Sequence, residues 1–389
     1  MPELILVPSV WAVEETVGLR LDDKMCEGVS RHAAYWPGPV RVILRRGQGT
    51  LPFSRVHAPG DLDFRVELMD EGQPFDPAQF RGAAMVLGAA DDHRQIPLAR
   101  ICAAAGVPLV YAIEYTLKTR MDVERLSPGR NWSRRARTMF WLWRQERPRR
   151  RAMAAAAGLQ ANGYPAEGAY AGLSPAPMLY LDNRMDGAMM ASPAEMEARV
   201  AHHAAAGPLR LIHSGRLEPM KGSGDLLPII QGLSQRGVDF TLDIYGTGSL
   251  EPVLLKGIAA AGLTDRVRLH KPVPFETELV PISRGRADIF VSCHRQSDPS
   301  CTYVEAMGCG LPVIGYDNGM WARLARESGA GWVLPMGDTG GMATRLAALA
   351  ADRPQVLAHA RAALDFARAR DFDHEFKARM DHLKGLAGL

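Results

Sequence analysis

Cysteine is scarce and unpaired in this sequence. Five thiols occur in 389 residues (Cys26, Cys102, Cys293, Cys301 and Cys309), with no C-x-x-C spacing among them. A disulfide-stapled scaffold and a thiolate metal site are thereby excluded, and reduced, mostly buried thiols in a cytosolic protein are expected. Long apolar runs are missing too. The longest, Ile101–Ile113, is broken by Gly106 and Pro108 and falls short of the ~20 residues that span a bilayer. The start, Met1-Pro2-Glu3 then Leu4-Ile5-Leu6-Val7, lacks a basic leader and predicts a first buried strand rather than a signal peptide. Several signatures of catalysis are absent: no H-E-x-x-H, no Cys/His cluster and no G-x-S-x-G. Lys221 is followed by Gly222, so there is no Walker loop, and no G-x-G-x-x-G opens either half. Asp61-Leu62-Asp63 and Asp371-Phe372-Asp373 do not follow a strand of a nucleotide-binding unit and read as chance. No metal site is expected.

What is present is the composition of a folded protein, 47% hydrophobic and 23% charged, in a chain long enough for two domains of nearly equal size. Apolar runs alternate with helical periodicity throughout. In the first half strands are expected at 4–10, 40–44, 84–89, 108–113, 159–162 and 178–182, with helices at 22–34, 94–105, 133–157 and 165–171. Polar, glycine-containing Asn183–Ser192 reads as the linker. Strands then recur at 209–213, 241–245, 267–269, 289–293, 312–316 and 332–334, and a helix at 372–386 closes the chain. Alternation with short connections implies parallel sheets covered on both faces, an α/β protein of two Rossmann-like domains facing across a cleft. The expected boundaries are 1–185 for the first domain, 186–206 for the linker and a first helix, and 207–368 for the second domain. The remaining residues, 369–389, form a helix expected to pack back on the first domain.

Three motifs in the second half sit where apolar runs end or begin: Gly215-Arg216-Leu217-Glu218-Pro219-Met220-Lys221-Gly222, Tyr245-Gly246-Thr247-Gly248, and Tyr303-Val304-Glu305-Ala306-Met307-Gly308-Cys309-Gly310-Leu311-Pro312-Val313-Ile314. Ends of strands in α/β sheets are where ligand-binding loops lie. Arg216 offers a planar fork for phosphate oxygens and Lys221 a movable point charge across a glycine-rich turn. Ser300 is the expected cap of a helix whose first amides, at Cys301, Thr302 and Tyr303, would face an anion. Glu305, one turn in, either accepts from ribose hydroxyls or closes a capping box with Thr302. The set suits a nucleoside diphosphate.

Net charge is only +3, yet from Lys118 to Arg151 twelve basic residues face three acidic ones, with Phe140-Trp141-Leu142-Trp143 among them. An anionic membrane surface would bind such a helix; equally, the segment would serve as ordinary solvated surface with its aromatics turned inward. Nucleic acid is disfavoured, since no helix-turn-helix, zinc or RNP pattern accompanies it.

The order G-R-x4-K-G, then strand-G-x-G, then V-E-A-M-x-C-G-x-P-V resembles retaining GT-B glycosyltransferases of family 4, over about residues 205–340. The resemblance implies a nucleoside diphosphate sugar bound by the second domain and a glycan or lipid-linked acceptor bound by the first. By position, Arg216 and Lys221 would hold the diphosphate as the catalytic cations, Glu305 the ribose, and amides near Cys301, Thr302 and Tyr303 the phosphate. Gly215 and the Gly246 turn would line the site. No cofactor beyond the sugar nucleotide is implied, and no metal. The family's first glutamate falls at Ser297, with Asp298 beside it as a replacement for contacts to the donor sugar. The family's histidine after strand 108–113 is replaced by Glu114-Tyr115, leaving His93 and Glu114 as candidates in the first domain. A sugar-nucleotide epimerase of the same fold, or an inactive sugar-nucleotide-binding scaffold, are the competing readings. Bacterial members build cell-surface polysaccharide or glycolipid, which implies a cytoplasmic enzyme, peripheral at the inner face of the plasma membrane.

Overall fold

The computed structural model describes residues 1–51, 53–58, 60–127, 129 and 131–389; Arg130, within the basic segment, lies outside the described residues. The chain divides into two compact units. Unit 1 comprises Met1–Leu117, Met139–Tyr180 and Phe376–Leu389, and unit 2 comprises Lys118–Thr138 and Leu181–Glu375. This differs from the boundaries expected from sequence: residues 118–138 group with the second unit, and the crossing falls after Tyr180 rather than at 185.

Unit 1 is built on β1 (Glu3–Val7), β2 (Trp11–Glu15), β3 (Gly18–Asp22), β4 (Val40–Arg46), β5 (Ser54–His57), β6 (Arg65–Met69), β7 (Ala83–Ala89), β8 (Leu109–Ile113), β9 (Gly158–Asn162) and β10 (Pro177–Tyr180). The order is β10-β9-β8-β7-β1-β4-β2-β3-β5, with β6 also pairing β4. From β10 to β4 every pairing is parallel, and these strands are the nearly continuous apolar runs. β1 stops at Val7, three residues short of the expected end, because Pro8 has no amide to donate to a ladder. β2, β3 and β5 form an antiparallel extension whose strands are too polar to stand out by apolar run length. The expected helix 94–105 is split: a 3-10 turn, His93–Gln95, precedes a helix that starts at Leu98 after Pro97.

Unit 2 carries β11 (Leu209–Ser214), β12 (Phe240–Tyr245), β13 (Val267–His270), β14 (Ile289–Ser292), β15 (Val313–Tyr316) and β16 (Gly331–Leu334). All are parallel, in the order β13-β12-β11-β14-β15-β16. The central pair β11 and β14 starts from opposite sides of the order, so their carboxyl ends flank the place where the winding reverses, which is where open α/β sheets bind ligands. Leu209, Leu211, Ile289 and Val291 pack with Leu226, Ile229 and Leu233 of the helix Leu226–Gln235 in a continuous buried core. At the opposite end of the same strands Asp288 is fully buried, accepting from the Arg210 amide (2.9 Å) and guanidinium (2.7 Å), with His203 Nε2 at 3.0 Å.

Candidate functional site

The first loop of unit 2 is forced into shape by its glycines. Gly215 and Gly222 hold φ of 147° and 65°, and a Cβ on Gly222 would sit 1.9 Å from the Cys293 carbonyl oxygen. The loop therefore lies directly on the end of β14. A Cβ on Gly246 would come within 2.0 Å of the Gly215 carbonyl oxygen, so Gly246 packs beneath the first loop. The two loops are knitted by Leu217 N to Thr247 O (2.9 Å), Leu250 N to Leu217 O (2.9 Å) and Ser249 N to Glu218 Oε1 (3.0 Å). On this platform Arg216 is exposed and has no ion-pair partner among the described residues.

Lys221 is different. It lies in the 3-10 turn Pro219–Lys221, buried, and its Nζ donates to Asp298 Oδ2 at 2.5 Å. Burial alone would raise the Asp298 carboxyl, but the Lys221 ammonium holds it below the usual carboxylate range. Asp298 is thus a positioning partner for Lys221. Its neighbour Ser297 fixes the loop: Oγ accepts from the Gly319 amide (2.9 Å), and the Ser297 carbonyl accepts from Thr119 Oγ1 (3.1 Å).

Beneath this pair is a buried polar layer that sequence reading did not single out. His213, His294, Gln296 and Asn318 are all nearly or fully buried. Burial, reinforced by the Lys221 charge, pushes His294 down to about 3, and burial likewise lowers His213. Both imidazoles are neutral at physiological pH. His213 Nε2, His294 Nδ1 and Gln296 Oε1 have no hydrogen-bond partner among the described residues, while Asn318 Nδ2 donates to His294 O and Tyr303 Oη (3.1 Å each). The signal in the sequence was faint: Cys293-His294-Arg295-Gln296 extends the apolar strand Ile289–Ser292, and lone polar residues at a strand end rarely announce burial.

The helix carrying the third motif is short, Thr302–Gly308. Cys301 is at its cap position and makes no side-chain cap bond, so Ser300 is not the cap; its hydroxyl instead donates to Thr302 Oγ1 at 3.2 Å. The Tyr303 amide is not open either, donating to Ser300 O at 3.4 Å, and the Tyr303 ring is buried, stacked on Trp321. The Cys301 thiol lies 4.0 Å from Asp182 Oδ2. With about two turns of helix and partly satisfied amides, the axial dipole at this end is weak.

Of the two roles open to Glu305 from sequence alone, the capping box with Thr302 is not taken. The two Glu305 oxygens receive the Arg184 guanidinium as a fork, Nε to Oε1 at 2.7 Å and Nη2 to Oε2 at 3.1 Å. Arg184 belongs to the stretch read as a linker, and its guanidinium also lies 3.7 Å from the centroid of Phe275. Beneath, the buried Arg199 holds the carbonyls of Cys309, Gly310, Arg284 and Ala287, which fixes the turn Gly310-Leu311-Pro312 that launches β15.

His93 and Glu114 belong to unit 1. His93 is half exposed and packs edge-on against Trp141, 5.1 Å between centroids. Glu114 follows β8, its amide donating to Asp91 Oδ2 at 2.8 Å. Asp91 also accepts from the Tyr115 amide (3.1 Å) and so organises that strand end. On unit 2 the geometry pairs Lys221 with Asp298 and sets both, with Arg216, close enough to His294 to act on it electrostatically, whereas Glu305 is paired with Arg184.

Two α/β units with these strand orders match solved proteins along nearly their whole length. HepE from Anabaena, solved in complex with UDP, aligns over 100% of both chains with a TM-score of 0.63 and 17% identity. Sucrose-phosphate synthase from Thermosynechococcus elongatus aligns over 99% of this chain and 98% of its own, TM-score 0.65, 14% identity. The chain has the GT-B fold. Within it, residues 208–352 match the family described as glycosyl transferases group 1, the part of the GT-B fold that holds all three motifs. The amylovoran biosynthesis glycosyltransferase AmsK of Erwinia amylovora is 32% identical over 162 residues. That match spans 39% of this chain and 38% of AmsK, so the curated relative is similar over about two fifths of its length. Unit 1 of this GT-B chain is related to the solved neighbours by fold alone.

Proposed function

We propose that the protein is a retaining glycosyltransferase of family 4, moving a glycosyl group from a nucleoside diphosphate sugar to a glycan or lipid-linked acceptor. The observation that carries this reading is the exposed Arg216, without an ion-pair partner among the described residues, on the same glycine-shaped loop at the end of β11 as the buried Lys221. In the transfer, the bond from the anomeric carbon to the diphosphate oxygen breaks and a bond to the acceptor hydroxyl oxygen forms. The acceptor proton passes to the departing diphosphate. Charge grows on the diphosphate as the bond breaks, and Arg216 and Lys221 are the groups that meet it. Two fixed cations do there what a divalent ion would otherwise do, and the proposal requires no metal. Support for the donor class comes from HepE, a protein of the same fold solved with UDP; AmsK, a glycosyltransferase named for amylovoran biosynthesis, supports the transfer reaction.

An anionic membrane surface is the proposed second partner, placing the enzyme at the inner face of the plasma membrane. The helix Trp132–Ala155 carries Trp132, Phe140 and Trp143 outward at 83%, 59% and 61% exposure. Their spacing, with Ala136 and Arg147, follows one helical face. The alternative that these aromatics turn inward does not hold. Among the described residues no helix is long and apolar enough to cross a membrane.

Incubating the protein with UDP-, GDP- and ADP-sugars and an oligosaccharide or lipid-linked acceptor tests the reading. Transfer with retained anomeric configuration is expected. Isomerisation of the donor without acceptor would instead establish an epimerase, and binding without turnover a scaffold.

A further inference from the structure

Arg184 makes two contacts of different kinds with one planar group. Its guanidinium forks onto both oxygens of Glu305 (2.7 and 3.1 Å) and sits over the Phe275 ring, 3.7 Å from the centroid. A carboxylate that takes two donors as a fork is chemically what a ribose cis-diol would use, and an aromatic face that takes a guanidinium over its centre would equally take a planar base. We infer that Phe275 is the platform for the nucleobase, next to Glu305 for the ribose, and that Arg184 and the nucleoside compete for these two surfaces. This rests on the reading of Glu305 as the ribose acceptor and adds to it a base subsite and a residue that regulates entry.

The local backbone favours a side-chain switch. The residues on either side of Arg184 are buried and pinned. Asn183 Nδ2 donates to Leu181 O and Arg370 O (3.0 Å each), and its Oδ1 accepts from the Met185 amide at 3.0 Å; Met185 O accepts from Phe372 N at 2.8 Å. The Arg184 side chain, by contrast, is half exposed. Rotation about its own side-chain torsions is enough to release both surfaces, with the chain path unchanged. Phe275 opens the turn Phe275–Leu279 after Pro274, outside the core of the sheet, so its half-buried ring is presented rather than packed away.

Competition has a signature opposite to that of a phosphate-binding arginine. Removing a cation that gripped the ligand weakens an anion, whereas removing a competitor strengthens it. If Arg184 holds the two surfaces about nine-tenths of the time, its removal tightens nucleoside binding about tenfold. Calorimetric titration of the full chain with UDP, GDP, ADP and inorganic pyrophosphate is the experiment, with melts to confirm folding of each variant. Arg184→Ala is expected to tighten the best-binding nucleoside diphosphate by about 5- to 20-fold and to leave pyrophosphate within about twofold. Arg184→Lys, which keeps charge but not the planar fork, should fall between. Phe275→Leu should weaken the nucleoside diphosphate and not pyrophosphate. Weaker or unchanged nucleoside diphosphate binding in Arg184→Ala, equal tightening of pyrophosphate, or no effect of Phe275→Leu would each overturn the inference. If no nucleoside diphosphate binds either the unmodified chain or Arg184→Ala, the nucleotide-sugar reading itself falls and takes this inference with it.

Discussion

Lys221 shows how one residue can combine structural and chemical demands that must be separated by experiment. Its ammonium is buried against Asp298, so Lys221→Ala leaves a buried carboxylate unpaired, a loss of about 3–5 kcal/mol of stability for such pairs. Arg216 is exposed without an ion-pair partner among the described residues, and its removal leaves no such penalty. Arg216→Ala is therefore expected to keep its melting temperature while losing about 10²–10³ in kcat/KM, as removal of a donor to a developing oxyanion does. The double variant Lys221→Met with Asp298→Asn should recover stability and remain inactive. Kinetics and thermal melts on the same preparations check both; near-normal kcat/KM in Arg216→Ala would remove the diphosphate role. The cations and glycines were legible in the sequence because glycine and charge at a strand end are informative in themselves. Arg184, His213, His294 and Asn318 were not, because their significance lies in what they face across the fold, and spacing along the chain carries none of that.

Among the elements, the strands of unit 2 have chemistry at both ends. At the carboxyl ends lies the candidate site; at the amino ends Asp288 draws in Arg210 and His203. Burial by itself would raise the Asp288 carboxyl, but hydrogen bonds from His203 and Arg210 bring it well below the usual carboxylate range. The folded value is thus lower than the unfolded one, near 4. Stability from this group is fully present above about pH 4 and is lost as pH falls below it. Urea melts from pH 7 to pH 3 should show Asp288→Asn less stable by about 3–5 kcal/mol at neutrality, with the gap to the unmodified chain narrowing once pH drops below 4. A gap that stays constant with pH would show that the carboxylate's charge is not what stabilises the strand ends. The parallel strands were readable as apolar runs, since burial on both faces demands continuous hydrophobicity. The antiparallel β2, β3 and β5 were missed because half-exposed strands keep polar residues, and WAVEE or GLRLD resembles loop by composition.

For the whole molecule, the distribution of charge matters more than its sum. Six arginines exposed along the helix Trp132–Ala155 (Arg134, Arg137, Arg144, Arg147, Arg150 and Arg151) accompany its outward aromatics, in a protein of net charge only +3. Each basic side chain near an anionic leaflet contributes about 1 kcal/mol, and the attraction fades within a Debye length. Co-sedimentation with vesicles is expected to require anionic lipid, to decline as salt rises, and to decline again in Trp132→Ala with Trp143→Ala. Binding equally to neutral vesicles, or to none, would leave the segment as solvated surface. The two-domain α/β plan was evident from rhythm alone. What rhythm could not reveal was that residues 118–138 group with the second unit, because a unit is defined by packing and not by order along the chain.

The route of the chain between units has a consequence for biosynthesis. The last helix, Phe372–Ala387, begins in unit 2, where the Leu181 amide donates to Glu375 Oε2, and from Phe376 onward it belongs to unit 1. There Phe376 packs against His32 and Tyr35, Gln160 exchanges hydrogen bonds with Arg379, and Met380 and Leu383 are fully buried. A ribosome delivers these residues after all of unit 2. During translation, then, unit 2 has every segment it needs before unit 1 does, although unit 1 starts first. The nascent first unit waits with its Gln160 side and the His32 face of its first helix uncovered until the last helix arrives, an interval in which that surface is open to misassociation.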